Sequence, residues 1–149
     1  MNPLVVEKIQ EMKPEEMALV FDFDGTITKK YINNVEIPSI ISILRSEGIL
    51  NEDYSKEAFA LKEKYHAIEI DQAVPQDIKF QKMNEWWEKH IQILVHHNLK
   101  KHDIYKAAHH PKLVIRSGTT ELFSFAKQNN IPVIIFSASG IGTDSIDFL

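Results

Sequence analysis

Asp22 and Asp24, in the run Val20-Phe21-Asp22-Phe23-Asp24-Gly25-Thr26, are the residues whose types and spacing could do chemistry in this chain. An apolar lead-in from Ala18 to Phe23 reads as a short buried strand, and Gly25 marks the turn that ends it. Strand residues alternate between faces, so acids two apart project to the same side. Two negative charges converging there repel unless a cation sits between them. The pair has two readings: turn formers, as any Asp-x-Asp-Gly allows, or a strand end built to gather a cation. The hydrophobic strand before it and Thr26 after it supply the strand-to-loop context that the second reading requires.

The elements that must position this pair follow from periodicity. Leu4, Val5, Ile9 and Met12 recur at helical spacing, which predicts a helix over about 3–12, ahead of Pro14. A polar, irregular stretch reaches Asn34, and Ile37 to Leu44 then reads as a helix with Pro38 at its start and Gly48 past its end. A second helix begins near Glu52, carries Ala58, Phe59, Leu61 and Tyr65, and gives way at Ile68-Glu69-Ile70-Asp71. Pro75 opens the longest periodic segment, with Ile78, Met83, Trp86, Trp87, His90, Ile91, Leu94 and Val95 every three or four residues up to Asn98. Aromatics at that spacing favour a packed interface over ligand contact for the two tryptophans. A short helix over Asp103 to His109 ends before Pro111. Leu113-Val114-Ile115 then leads through Ser117-Gly118 into a helix with Leu122, Phe123, Phe125 and Ala126, and Ile131 to Phe136 is a continuous apolar strand of the parallel-sheet kind. It ends in Ser137-Ala138-Ser139-Gly140.

Two buried strands, each ending in polar groups and joined through helices, predict an α/β fold with its site at the carboxyl ends of parallel strands. The helical block of residues 31–111 is too long for a loop and reads as an inserted cap, which leaves 1–30 and 112–149 as the core. With 149 residues, 44% hydrophobic and 26% charged, the composition is that of one soluble globular domain. The net charge of −4 argues against nucleic acid as a main partner, and no apolar run has the length of a signal peptide core or a membrane span, so a cytoplasmic protein is expected. With no cysteine, disulfides, thiolate catalysis and cysteine-bound metals are excluded.

The Asp22-Phe-Asp24-Gly25-Thr26 motif after a strand, followed much later by a strand ending in Ser137, resembles the first two motifs of the haloacid dehalogenase (HAD) superfamily of phosphohydrolases. Leu61-Lys-Glu-Lys-Tyr-His-Ala-Ile-Glu69, Met83-Asn-Glu-Trp-Trp87 and Ile131-Pro-Val-Ile-Ile-Phe-Ser-Ala138 narrow the likeness to the cytosolic 5'-nucleotidase III, or pyrimidine 5'-nucleotidase, family. It runs from about residue 14 to about 142, and implies a HAD-like Rossmannoid core with an incomplete parallel sheet and a mostly helical cap.

By that resemblance the substrate is a nucleoside 5'-monophosphate, of pyrimidine or 7-methylguanosine type. Asp22 is implied as the nucleophile that takes the phosphoryl group, and Asp24 as the acid/base. Attack on a phosphate dianion needs charge neutralised, so Mg²⁺ held by Asp22, the Asp24 carbonyl and waters is implied as cofactor. Asp24 must hold a proton in one half-reaction and accept one in the next, which calls for a raised pKa. Ser137 and the Ala138 backbone are implied to hold phosphate oxygens, and Thr26 to brace the loop. Glu69 and His90 fall at base-contacting positions. Ser137 as a local turn residue, Glu69 as a solvated acid and His90 as a core-edge residue are the alternatives for these three.

Relatives supply, after the second motif, a lysine and then an acidic metal ligand on later strands; no lysine follows Ser137 here, and Asp144 and Asp147 lie too near the strand end to stand on another. The expectation is therefore a C-terminally truncated form, weak or inactive by itself. Competing readings are a non-catalytic nucleotide-binding or regulatory module, and a metal site among His90, His96, His97, His109 and His110, which is disfavoured because no acid falls at ligand spacing. A receiver domain does not suit an insert of this length after the first strand.

Overall fold

The structure, a computed structural model, describes residues 11–138 and 141–147. Most of the helix expected over 3–12 therefore lies outside the described residues. The described chain falls into two compact units, one drawn from residues 11–37 and 114–138, the other from 38–113 and 141–147.

The first unit is an α/β piece. Strand β1 (Leu19–Asp22) pairs in parallel with β4 (Val133–Phe136), in the register Leu19 to Val133 and Asp22 to Phe136. Between them in sequence stand a short hairpin, β2 (Tyr31–Ile32) and β3 (Val35–Glu36), and helix α5 (Thr119–Gln128). The hairpin replaces the irregular stretch expected there; Asn33 and Asn34 both adopt left-handed φ, at 50° and 64°, as a two-residue hairpin turn requires. In the parallel pair, partnered residues share a face. Phe21 meets Phe123 of α5 at 5.7 Å between ring centroids on one face. Val20, Ile134 and Phe136 on the other are 57%, 44% and 66% exposed. The chain segments flanking the helical stretch are also tied to each other: Thr28 bridges Ile115, and Lys29 N–H donates to the Val114 carbonyl at 2.7 Å.

The second unit is helical: α1 (Ile40–Ser46), α2 (Glu52–Ile70), α3 (Gln76–His96), α4 (Lys101–Ala108) and a closing turn, α6 (Asp144–Asp147). Its starts are set by caps. Ser39 accepts from Ser42 N–H and opens α1, and Asn51 accepts from Tyr54 N–H at 2.8 Å and opens α2. Pro38 thus precedes the cap, and Gly48 takes φ 66° beyond the end of α1. Helix α2 runs on through Ile68-Glu69-Ile70 where a break was expected, because no proline or glycine occurs before Pro75 and the His66–Glu69 pair supports its last turn. The core gathers Ile40, Ile43 and Leu44 of α1, Tyr54, Ala58 and Tyr65 of α2, Leu94 of α3, and Ile104, Ala107 and Ala108 of α4, all buried. Trp86 stacks on Tyr65 at 6.0 Å across the α2–α3 interface, as its spacing predicts, and Trp87 stacks on Trp86 and His90 of its own helix.

Leu44 is fully buried and Val95 is 73% exposed. Leu44→Ala is expected to lower stability in urea unfolding by about 2–5 kcal/mol, and Val95→Ala by less than about 0.5 kcal/mol.

Candidate active site

The loop after β1 is held by its own backbone and by one distant side chain. Asp22 accepts a hydrogen bond from Phe23 N–H through Oδ1 at 2.8 Å. Phe23 turns inward and is buried. Gly25 then takes φ 75°, ψ −2°, a left-handed conformation that costs an L-residue with a side chain about 1–2 kcal/mol. Thr28 closes the turn: its N–H donates to the Phe23 carbonyl at 3.1 Å, and its hydroxyl accepts from Gly25 N–H at 2.9 Å. Arg116, which stands directly after the Ile115 bridge, donates Nε to the Thr26 carbonyl at 2.7 Å and Nη2 to the Gly25 carbonyl at 2.8 Å.

Thr28 and Arg116 went unmarked in the sequence. Thr26, expected to brace the loop with its side chain, is exposed, and the side-chain brace comes from Thr28 two positions on. Nothing local in the sequence points to Arg116, because its contact depends on the pairing of residues some ninety positions apart. A pocket of ≈ 370 Å³ adjoins the loop, lined by Gly25, Thr26, Arg116, Ser117 and Thr119 among others.

Asp24 is the electrostatic centre of the loop. Its carboxyl is half-buried, and Oδ1 is buried without a hydrogen-bond partner. Burial, and then the charge of Asp22, push its pKa above the ordinary carboxylate value. A buried oxygen without a partner, next to a second carboxylate, fits a site completed by a group from outside the chain. The donors here are all oxygen, the set that hard cations such as Mg²⁺ take. Ser137 and Ala138 directly follow Phe136, the partner of Asp22 in the parallel register, so both lie at the carboxyl end of the same strand pair.

The two residues expected to contact the base, Glu69 and His90, lie on the helical unit. Glu69 is exposed in the last turn of α2 and pairs with His66 Nδ1 at 2.9 Å. His90 is 2% exposed, its Nε2 3.3 Å from the Tyr54 hydroxyl and its ring stacked with Trp87. Burial, helped by the nearby Arg45 charge, pushes its pKa down to about 4, so it is neutral at pH 7. Tyr54 is pushed up to about 12, chiefly by burial. Both therefore meet as neutral groups, and the contacts of His90 are those of a core residue.

The fold and the loop define an α/β protein with a paired-aspartate turn at the end of a parallel strand. The chain belongs to the pyrimidine 5'-nucleotidase (UMPH-1) family, whose sequence profile matches residues 25–148. It is 32% identical over 138 residues to the human 7-methylguanosine phosphate-specific 5'-nucleotidase, covering 93% of this chain and 46% of that protein. The Drosophila melanogaster protein of the same name is 34% identical over 137 residues, covering 91% and 43%. The crystal structure of cytosolic 5'-nucleotidase IIIB bound to cytidine superposes with a TM-score of 0.73 at 29% identity, covering 99% of this chain and 52% of that one. The chain thus spans about half the length of the curated relatives it matches. Among the described residues no helix is long and apolar enough to cross a membrane.

Two titrations follow. Asp22→Asn should lower the Asp24 pKa, followed by carboxyl NMR, but not restore its ordinary value, because burial is the larger cause. For His90 the folded pKa is depressed, so between pH 6.5 and about 4 the unfolded chain binds a proton that the folded unit does not. Stability should therefore fall with falling pH across that window, by up to ~3 kcal/mol from this group, and His90→Gln should flatten the dependence in urea melts.

Proposed function

We propose that this protein handles nucleoside 5'-monophosphates, of pyrimidine or 7-methylguanosine type, as a cytoplasmic phosphomonoesterase that releases nucleoside and phosphate. The observation that carries the reading is the Asp24 carboxyl, half-buried, raised in pKa and unpartnered at Oδ1 beside Asp22. In this reading residues 1–30 and 112–149 form the catalytic core and 31–111 the cap.

The chemistry assigned to the residues is as follows. An Asp22 carboxylate oxygen attacks phosphorus, the bond from phosphorus to the nucleoside 5' oxygen breaks, and the protonated Asp24 gives its proton to that leaving oxygen. Asp24, now ionised, takes a proton from water, whose oxygen attacks the phosphorus of the acyl phosphate, releases inorganic phosphate and frees Asp22. A pKa raised by burial and by Asp22 suits a group that must both give and take a proton. Mg²⁺, held by the Asp22 carboxylate and the Asp24 carbonyl, would supply the positive charge that lets a carboxylate approach a phosphate dianion. Ser137 and the Ala138 N–H are assigned to the phosphate oxygens, and Thr26 to the same loop. Glu69 and His90 are assigned to the base, Glu69 as an exposed acid and His90 as a packed, neutral group.

For the 149 residues by themselves we expect nucleotide binding with slow turnover. The test is phosphate release from CMP, UMP and 7-methyl-GMP with Mg²⁺, alongside calorimetric binding. Slow release that falls more than about a thousandfold in Asp22→Asn supports the assignment. Binding without any release makes the chain a nucleotide-binding module, and neither binding nor release overturns the reading.

A further inference from the structure

The helical unit gathers a second set of groups able to hold a metal. Helices α2 and α3 run antiparallel: Tyr65 meets Trp86 and Lys89, Tyr54 meets His90, and Glu57 meets His97. This pairing sets the first turns of α2 against the last turn of α3, at the end of the hairpin away from its connecting loop. There one ligand atom from each of Glu57, His96 and His97 lies within 4.8 Å of the others. Glu57 Oε1 and His97 Nε2 are 3.3 Å apart.

Adjacent residues on a regular helix diverge by about 100°, which works against two neighbouring histidines serving one ion. The side chains overcome this: the His96 and His97 imidazoles meet edge to face with centroids 4.9 Å apart. The acid absent at sequence spacing is thus supplied from another helix. The remaining histidines of the sequence set lie elsewhere: His90 is engaged with Tyr54, His109 stacks on Tyr105, and His110 faces Glu47.

We propose that Glu57, His96 and His97 form a binding site for a divalent transition cation of the zinc class, with a fourth position open to water. Zinc takes imidazole nitrogen and carboxylate oxygen at about 2.0–2.2 Å in a tetrahedron, which puts neighbouring ligand atoms about 3.3 Å apart. The Glu57–His97 separation already has that value, and the exposed His96 ring has only to swing inward. His97 is the fixed arm: its side chain is 7% exposed and packs edge-on against the buried Tyr54 ring. Two imidazoles and one carboxylate select against Mg²⁺, which prefers oxygen ligands and keeps its waters. Bound there, the ion ties α2 to α3 at the open end of their hairpin and stabilises the folded unit by mass action.

The experiment is a zinc titration of the chain in excess Mg²⁺, read by calorimetry and by competition with a chromophoric chelator. The expected result is one zinc per chain, a rise in melting temperature, and affinity lowered at least about tenfold in each of Glu57→Gln and His96→Gln. Both side chains are exposed, so circular dichroism should be unchanged in these variants. His109→Gln should leave affinity intact. No zinc binding, or equal affinity in the Glu57→Gln/His96→Gln double variant, overturns the proposal.

Discussion

The first unit depends on one constraint: two carboxylates are held a single residue apart at the end of a strand, where like charges repel. Side chains alone could not keep them there. The backbone is fixed instead, by Gly25 in a conformation that other residues resist, by the Thr28 hydroxyl on the Gly25 amide, and by the Arg116 guanidinium on two carbonyls of the turn. The guanidinium also puts positive charge close behind an acidic loop. Burial first, and then the remaining repulsion from Asp22, raises the proton affinity of Asp24.

Much of this was legible in the sequence because its causes are local. Periodicity with Pro38, Gly48 and Pro75 located the helices of the second unit, since such residues act on their neighbours; the Ser39 and Asn51 caps emerge from the structure. The alternation around Asp22 and the apolar run before Ser137 gave both strands, and their parallel pairing follows from the intervening helices. The rest depended on tertiary placement. Arg116 reaches the loop only because Ile115 bridges Thr28, and Glu57 joins two histidines only because α2 lies against α3. Helix α2 continues through Ile68-Glu69-Ile70, where it was expected to give way, because helix propagation continues at little cost until a breaker arrives.

The helical unit uses polar groups in its interior in a restrained way. Tyr54 and His90 are both buried and both held neutral, so their hydrogen bond brings no charge into the core. Arg45 is the exception, a buried guanidinium against the Phe59 ring, and its field acts on both. A tyrosine and a histidine that share a hydrogen bond fix the rotation of α2 relative to α3 more narrowly than aliphatic packing would.

The parallel pair of β1 and β4 also bears on the order in which the chain folds. Leu19 must find Val133 across nearly the whole described sequence, and closing so large a loop is entropically slow. Within the helical stretch between them, the α2–α3 hairpin is built from contacts between consecutive elements, which form early. Once that stretch has condensed, the effective loop separating the strands is much shorter. Until then the apolar residues Val20, Ile134 and Phe136 have no strand pairing to order them, and a nascent chain would be most prone to self-association in that interval.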